Sequence, residues 1–310
     1  MRQLITILIF LFATGLLPAQ KSSVKPWVNS SKDTEWIRNA DFESKGKGVG
    51  KVKNLPEASG IAPSHSNPGH IWAHNDSGND PILSLIDTKD GSTIGQLYLK
   101  PGMNTDWEDI ECIQDKNQKN GYIYLADIGD NAGKRKYVSI YILNDEKMSS
   151  DTLKEASIQQ TIHFTYPKGP RDAEAILVDP ATKHIYIVSK REKFVGLYTI
   201  QYPYKNDSVD TALHIGTLPF NQITAGSISP DGMEILIRSY GRIYYWKRME
   251  GESISETIKR NPQLAPYSPI EPQGEAICWD LSGNGYYTLS EKRRNQMPDP
   301  TLYFYRRLEK

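Results

Sequence analysis

Cysteine is nearly absent: the chain of 310 residues holds two, Cys112 and Cys278, so no disulfide framework can carry the fold. Each follows a repeated glutamate, Cys112 by four residues and Cys278 by three, which puts the two on opposite faces of alternating strands. They are expected as free thiols. Net charge is absent too, with 37 Lys+Arg against 37 Asp+Glu, so no global field favours nucleic acid or an anionic membrane, and charge selectivity has to be local. Long apolar runs are missing after the first residues, so no later segment is expected to span a membrane. Useful helical periodicity is missing as well. So are the G-x-S-x-G elbow, the P-loop, H-E-x-x-H and paired CxxC motifs, which removes the common hydrolase, nucleotide and zinc signatures.

The one apolar run, LITILIFLFATGLLPA behind Met1-Arg2-Gln3, is expected to be a signal peptide over 1–19, cleaved after Ala19, with an exported, soluble, monomeric product. Residues 20–47 read as a polar lead-in, and 48–310 as a single domain.

That domain repeats. Glu57-Ala-Ser-Gly-Ile61, Glu108-Asp-Ile110, Glu174-Ala-Ile176, Thr224-Ala-Gly-Ser-Ile228 and Glu275-Ala-Ile277 each precede a second β run, at His70, Tyr122, His184, Glu234 and Gly285. The isoleucines recur roughly every 50 residues, with one longer step, which is the period of propeller blades. The reading is an all-β propeller of five four-stranded blades, with six as the alternative and a β-sandwich as the competing class. Innermost strands are expected at 58–63, 108–113, 174–178, 224–228 and 275–279. Outermost strands are expected at 94–100, 160–166, 212–217 and near 255–259, with 144–160 a linker inside the second unit. The last unit has no outer strand of its own. A strand at 48–54 pairing with 301–306 would close the ring and remove two open edges.

The start of each inner strand and the end of the next strand lie on one rim. That rim gathers His74-Asn75-Asp76, Asp127, Lys190-Arg191, Arg238 and Glu291-Lys292. Acids converging at equal repeat positions repel and raise one another's pKa. A hard cation with oxygen ligands relieves this, and Ca²⁺ is the expected ion, with no organic cofactor. The candidate ligands are Glu57, Glu108, Glu174, Glu275, Asn75 and Asp127. The competing reading has the glutamates capping backbone amides or pairing with Arg171, Arg191 and Arg238. His74, Asp127 and Arg238 are the catalytic candidates, His74 as a general base or else a hydrogen-bonded rim residue. Lys190, Arg191, Arg238 and Lys292 would hold an anionic ligand, with Arg293 and Arg294 nearby. Trp72 and Trp107 either wall the pocket or pack within blades.

The ordered set EASGI, WAHNDSG, DWEDI, LADIGDN, RDAEAI, TAGSISPDG, QGEAI and LSE resembles secreted bacterial phytase-like propellers bearing an "esterase-like activity of phytase" domain. The resemblance spans about residues 52–308. It implies a calcium-assisted propeller acting on an ester or phosphoester, with an anionic small molecule as substrate. Thr224 departs from the repeated glutamate. The layout is more distantly similar to gluconolactonase and strictosidine-synthase propellers. A non-catalytic propeller binding a glycan, peptide or protein on the same face is the alternative.

Overall fold

The computed structural model describes residues 36–114, 121–150, 152–206, 208–292 and 299–309. The signal-peptide reading, Arg293 and Arg294 lie outside them. No helix among the described residues is long and apolar enough to cross a membrane.

The described chain is a β-propeller of five blades. Strand β1 (Lys47–Lys51) comes first. Blade 1 is β2 (Ala58–Pro63), β3 (His70–Asn75), β4 (Ile82–Asp87) and β5 (Thr93–Lys100). Blade 2 is β6 (Trp107–Gln114), β7 (Gly121–Asp127), β8 (Val138–Asn144) and β9 (Thr152–Thr165). Blade 3 is β10 (Ala173–Val178), β11 (Ile185–Ser189), β12 (Val195–Ile200) and β14 (Leu213–Leu218), with the short β13 (Val209–Thr211) pairing to β9. Blade 4 is β15 (Ile223–Ile228), β16 (Glu234–Ser239), β17 (Arg242–Lys247), helix α1 (Ile254–Ile258) and β18 (Gln263–Ala265). Blade 5 is β19 (Gly274–Trp279), β20 (Gly285–Ser290) and β21 (Thr301–Arg306), completed by β1.

The inner strands β2, β6, β10, β15 and β19 contact one another in that cyclic order. Four of them, β2, β10, β15 and β19, are buried at every position, because each is covered by neighbouring blades as well as by its own sheet. Edge loops are ordinary turn chemistry. In Ser229-Pro-Asp-Gly232 the Ser229 hydroxyl oxygen accepts from Met233 N (3.1 Å) and Glu234 N (2.8 Å), and Gly232 takes φ of 77°.

Closure follows the expected strand exchange. β1 pairs antiparallel with β21, Lys47 opposite Phe304 and Lys51 opposite Thr301, and Val52 N donates to Pro300 O at 2.9 Å. Three expectations need correcting. Residues 152–157, assigned to a linker, belong to β9, which pairs parallel with β5 before turning antiparallel to β8. Blades 1 and 2 are therefore one continuous sheet. The segment near 255–259 is the helix α1 rather than a strand. Ser253 caps it and exchanges bonds with Glu256, and Ile254 and Ile258 sit one turn apart on the buried face. The outer strand of blade 4 comes later, as the three residues of β18. Residues 36–46, read as part of a polar lead-in, run beside β18 and β21. Asn39 N donates to Leu264 O (2.8 Å) and Glu43 N to Arg306 O (2.8 Å). Phe42 is buried edge-on against Tyr286, with ring centroids 5.1 Å apart.

Below the rim the axis is filled by two carboxylates of β6. Asp109 accepts backbone amides from Ile176 (2.9 Å) on β10 and Gly226 (3.0 Å) on β15, and Glu111 accepts from Ile228 N (2.9 Å). Burial pushes both carboxyls well up, with those amides opposing it. They stitch blades 2, 3 and 4 together. Cys112 and Cys278 are buried free thiols.

Candidate functional site

Each inner strand carries a register shift at the same place: between Ala58 and Gly60, Trp107 and Asp109, Ala173 and Ala175, Ile223 and Ala225, and Gly274 and Ala276. Such a bulge leaves one residue unpaired and re-aims its side chain. The bulged residues are Ser59, Glu108, Glu174, Thr224 and Glu275. Equivalence in the ring therefore falls on Ser59 in blade 1, not on Glu57 two residues before it. The hydroxyls serve as inter-blade donors, Ser59 Oγ to Glu108 O (2.7 Å) and Thr224 Oγ1 to Gly274 O (3.1 Å).

A second tier sits immediately before each inner strand: Glu57, Asp106, Asp172, Gln222 and Gln273. Their carbonyls tie this lip to the strand beside it, accepting from Asp76 N at Glu57, Lys190 N at Asp172 and Glu291 N at Gln273, at 2.7–3.0 Å. Those donors belong to a third tier just past the second strand of each blade: Asp76, Ile128, Lys190, Tyr240 and Glu291. The signal for the lip was in the sequence as an acid or amide two residues before the bulge, in Asp106-Trp-Glu108, Asp172-Ala-Glu174 and Gln273-Gly-Glu275. In extended chain, a spacing of two keeps side chains on one face.

The tiers converge. Ligand-type oxygens of Asp76, Asp106 and Glu108 lie within 4.8 Å of one another, and so do those of Glu108, Asp172 and Glu174. Glu108 belongs to both groups. Glu108, Glu174 and Glu275 are at most 4% exposed. Lys190 is the one cation in the three tiers, its Nζ 2.5 Å from Glu174 Oε2 and 5.2 Å from the centre of the Tyr240 ring. Blade 4 supplies no carboxylate to any tier.

Burial and crowding shift these groups in one direction. Burial, then Glu174, Asp76 and Asp106, holds the Glu108 carboxyl well above the usual range. Asp106 is pushed up to about 6 by burial and Asp76, and Glu174 to about 8 by burial with Glu275 adding to it against the pull of Lys190. Glu291 rises to about 8 by burial and then Glu275, and Glu275 and Asp76 are raised chiefly by burial. Burial would lower Lys190, but Glu174 and Glu275 outweigh it and hold the ammonium charged.

The remaining candidates sit around this pocket. Glu57 accepts from Asn79 Nδ2 at 2.7 Å, and Asn75 Oδ1 is taken by Glu57 N at 3.1 Å. Asp127 lies behind Asp106, its oxygens occupied by Asp106 N (3.2 Å), Arg135 Nη2 (2.7 Å) and the Tyr141 hydroxyl (3.2 Å). His74 is wholly buried between blades, edge-on to Trp107 and bonded to Asn75 O at 3.0 Å, and burial pulls it down to about 4. Arg238 is also wholly buried, beneath Glu275, where it joins Glu271 (2.5 Å), the Tyr267 hydroxyl (2.7 Å) and Ala276 O. Arg191 pairs with Asp172 and Asn131, and Lys292 with Asp299 at 3.0 Å. Trp72 and Trp107 are core residues, their indole N–H groups donating to Asp145 Oδ1 (2.7 Å) and Met103 O (3.1 Å). The structure thus gathers Glu108, Glu174, Glu275 and Lys190 at the axis, together with Asp76, Asp106, Asp172 and Glu291, which sequence reasoning had not singled out. His74, Asp127 and Arg238 stand behind that surface.

No protein-family model and no curated protein matches the sequence. Among solved structures the chain is similar to the Dos1 propeller, with a TM-score of 0.37 and 12% identity, over 80% of this chain and 59% of that one. The match thus spans less than two thirds of that chain's length.

Proposed function

We propose that the axial pocket binds a divalent cation, calcium, and with it the anionic group of an ester or phosphoester, which the protein hydrolyses outside the cytoplasm. One observation carries this reading: carboxylates from three blades converge in two groups, each within 4.8 Å and sharing Glu108, with a single ammonium, that of Lys190, bonded among them. Buried carboxylates in such numbers have to be protonated or paired with cations.

The residues fit a hard cation. The donors are all oxygen, as calcium prefers. Glu275 Oε2 is buried without a hydrogen-bond partner. Gly129 leaves the pocket wall bare: a Cβ there would collide with Glu108 Oε1 and stand 2.5 Å from Asp106 Oδ2. Asp76, Asp106 and Glu108 would hold the ion, since Glu174 already pairs with Lys190 and Asp172 with Arg191. When bound it would polarise an ester or phosphoryl oxygen and lower the pKa of a water. Lys190 would bind the substrate's anionic oxygens, and Glu291, at the mouth of the same pocket, would take the proton of the attacking water at its carboxylate.

The likeness of the ordered motifs to phytase-like propellers supports the substrate class. The test is turnover of p-nitrophenyl phosphate and p-nitrophenyl acetate with calcium, then with chelator. Hydrolysis lost on chelation and restored by calcium, and lost in Glu108→Gln, is the expected result. Calcium binding without turnover on either ester would leave a non-catalytic binding face.

A further inference from the structure

The two oxygen groups at the axis share Glu108, but their surroundings differ. Around Asp76 and Asp106 no cation of the three tiers is bonded. Around Glu174 one already is, at 2.5 Å from Lys190 Nζ. The position of Lys190 is occupied in the other blades by Asp76, Ile128, Tyr240 and Glu291, so the lysine is peculiar to blade 3. The ammonium also lies over the Tyr240 ring, 5.2 Å from its centre, on the blade that brings no acid of its own. Next to it Glu275, 4% exposed, keeps Oε2 without a partner. That buried, unsatisfied oxygen marks the Glu174–Glu275 half as a place built for positive charge.

We propose that Lys190 is the second cation of this centre: a tethered ammonium that fills the Glu174–Glu275 half and leaves the Asp76–Asp106–Glu108 half to a single divalent ion. The inference rests on the cation-binding reading above and extends it. An anionic ligand would then sit between one exchangeable ion and one fixed charge. Removing the ammonium would expose Glu108, Glu174 and Glu275, an all-oxygen set whose carboxylates, bidentate, offer the ligand count a second calcium needs, while Arg191 keeps Asp172.

The experiment is isothermal titration of the chelator-stripped full chain with calcium chloride alone, on wild type, Lys190→Gln and Lys190→Arg, with circular dichroism confirming that each is folded. The expected stoichiometry is one ion for wild type, two for Lys190→Gln and one for Lys190→Arg, since arginine restores the fixed charge. Equal stoichiometry in wild type and Lys190→Gln overturns the inference while leaving the cation-binding reading intact. A wild type that binds no ion beside a Lys190→Gln that binds one supports the tethered ammonium and overturns that reading for the native protein. No binding by either overturns both.

Discussion

Gly129 shows how much of the candidate centre depends on a missing side chain. Its backbone N–H reaches Asp106 O at 3.2 Å, and the space a methyl would take is already occupied by the Glu108 and Asp106 carboxylates. Gly129→Ala should therefore keep the fold and weaken calcium binding by about 10–100-fold, the scale on which groups supporting metal ligands act. Titration calorimetry against wild type reads it directly. The acids make a second prediction, about pH. Asp106, Glu174 and Glu291 keep protons in the folded chain up to about 6, 8 and 8, whereas in the unfolded chain they release them near the ordinary carboxyl value of about 4. The folded state binds more protons across that window, so stability of the metal-free protein should fall as pH rises from about 4 to about 8. Saturating calcium should flatten the slope, and urea melts at pH 5 and 8, with and without calcium, measure it. Arg238 makes a third. Its guanidinium is wholly buried against Glu271, so Arg238→Met would strand a buried carboxylate and cost about 3–5 kcal/mol of stability. Denaturant midpoints check that value, and Glu271→Gln in the same background should recover part of it.

At the level of elements, β1 joins the chain's beginning to its last blade. Deleting Lys47–Lys51 bares the edge of β21 and the buried Val52 behind it, so the whole ring should lose stability in one cooperative transition. A thermal midpoint unchanged by the deletion would contradict that pairing. The inner strands explain which parts of the site were legible beforehand. Alternation and spacing placed them well, because apolar repeats survive in the sequence. The bulges did not show, since one unpaired residue leaves no compositional trace. Aligning Glu57 with Glu108 skipped over the extra Ser59 and Gly60, so blade 1 was assigned a glutamate where it has a hydroxyl. The lip acids Asp106 and Asp172 were legible as the residue two before Glu108 and Glu174, but that they join those glutamates in one cluster appears only in the fold. Helix α1 was hidden differently. Five residues are too few for periodicity, yet Ser253 and Glu256 spelled out its cap.

Across the molecule, the closed ring was readable because it depends on repetition, while the chemistry depends on departures from it. Blade 4 has Gln222, Thr224 and Tyr240 where other blades bring acids, and blade 3 alone brings Lys190. Repetition predicts a symmetrical centre, and these substitutions make it lopsided. The same lopsidedness holds for the frame. β9 spends its first half on β5 and its second on β8, and β13 of blade 3 pairs with it too, so backbone ladders weld blades 1, 2 and 3. Residues 36–46 strap blade 4 to blade 5, whereas among the described residues no ladder joins blade 3 to blade 4. A toroid welded at some joints and not at others cannot loosen evenly. Thermal agitation or mechanical load should open it at the junction between blades 3 and 4, with blades 1 to 3 moving as a single rigid leaf. Asp76, Asp106, Glu108, Glu174 and Lys190 ride on that leaf and Tyr240 and Glu275 on the part that swings, so the centre would be strained like a hinge pin whenever the ring breathes.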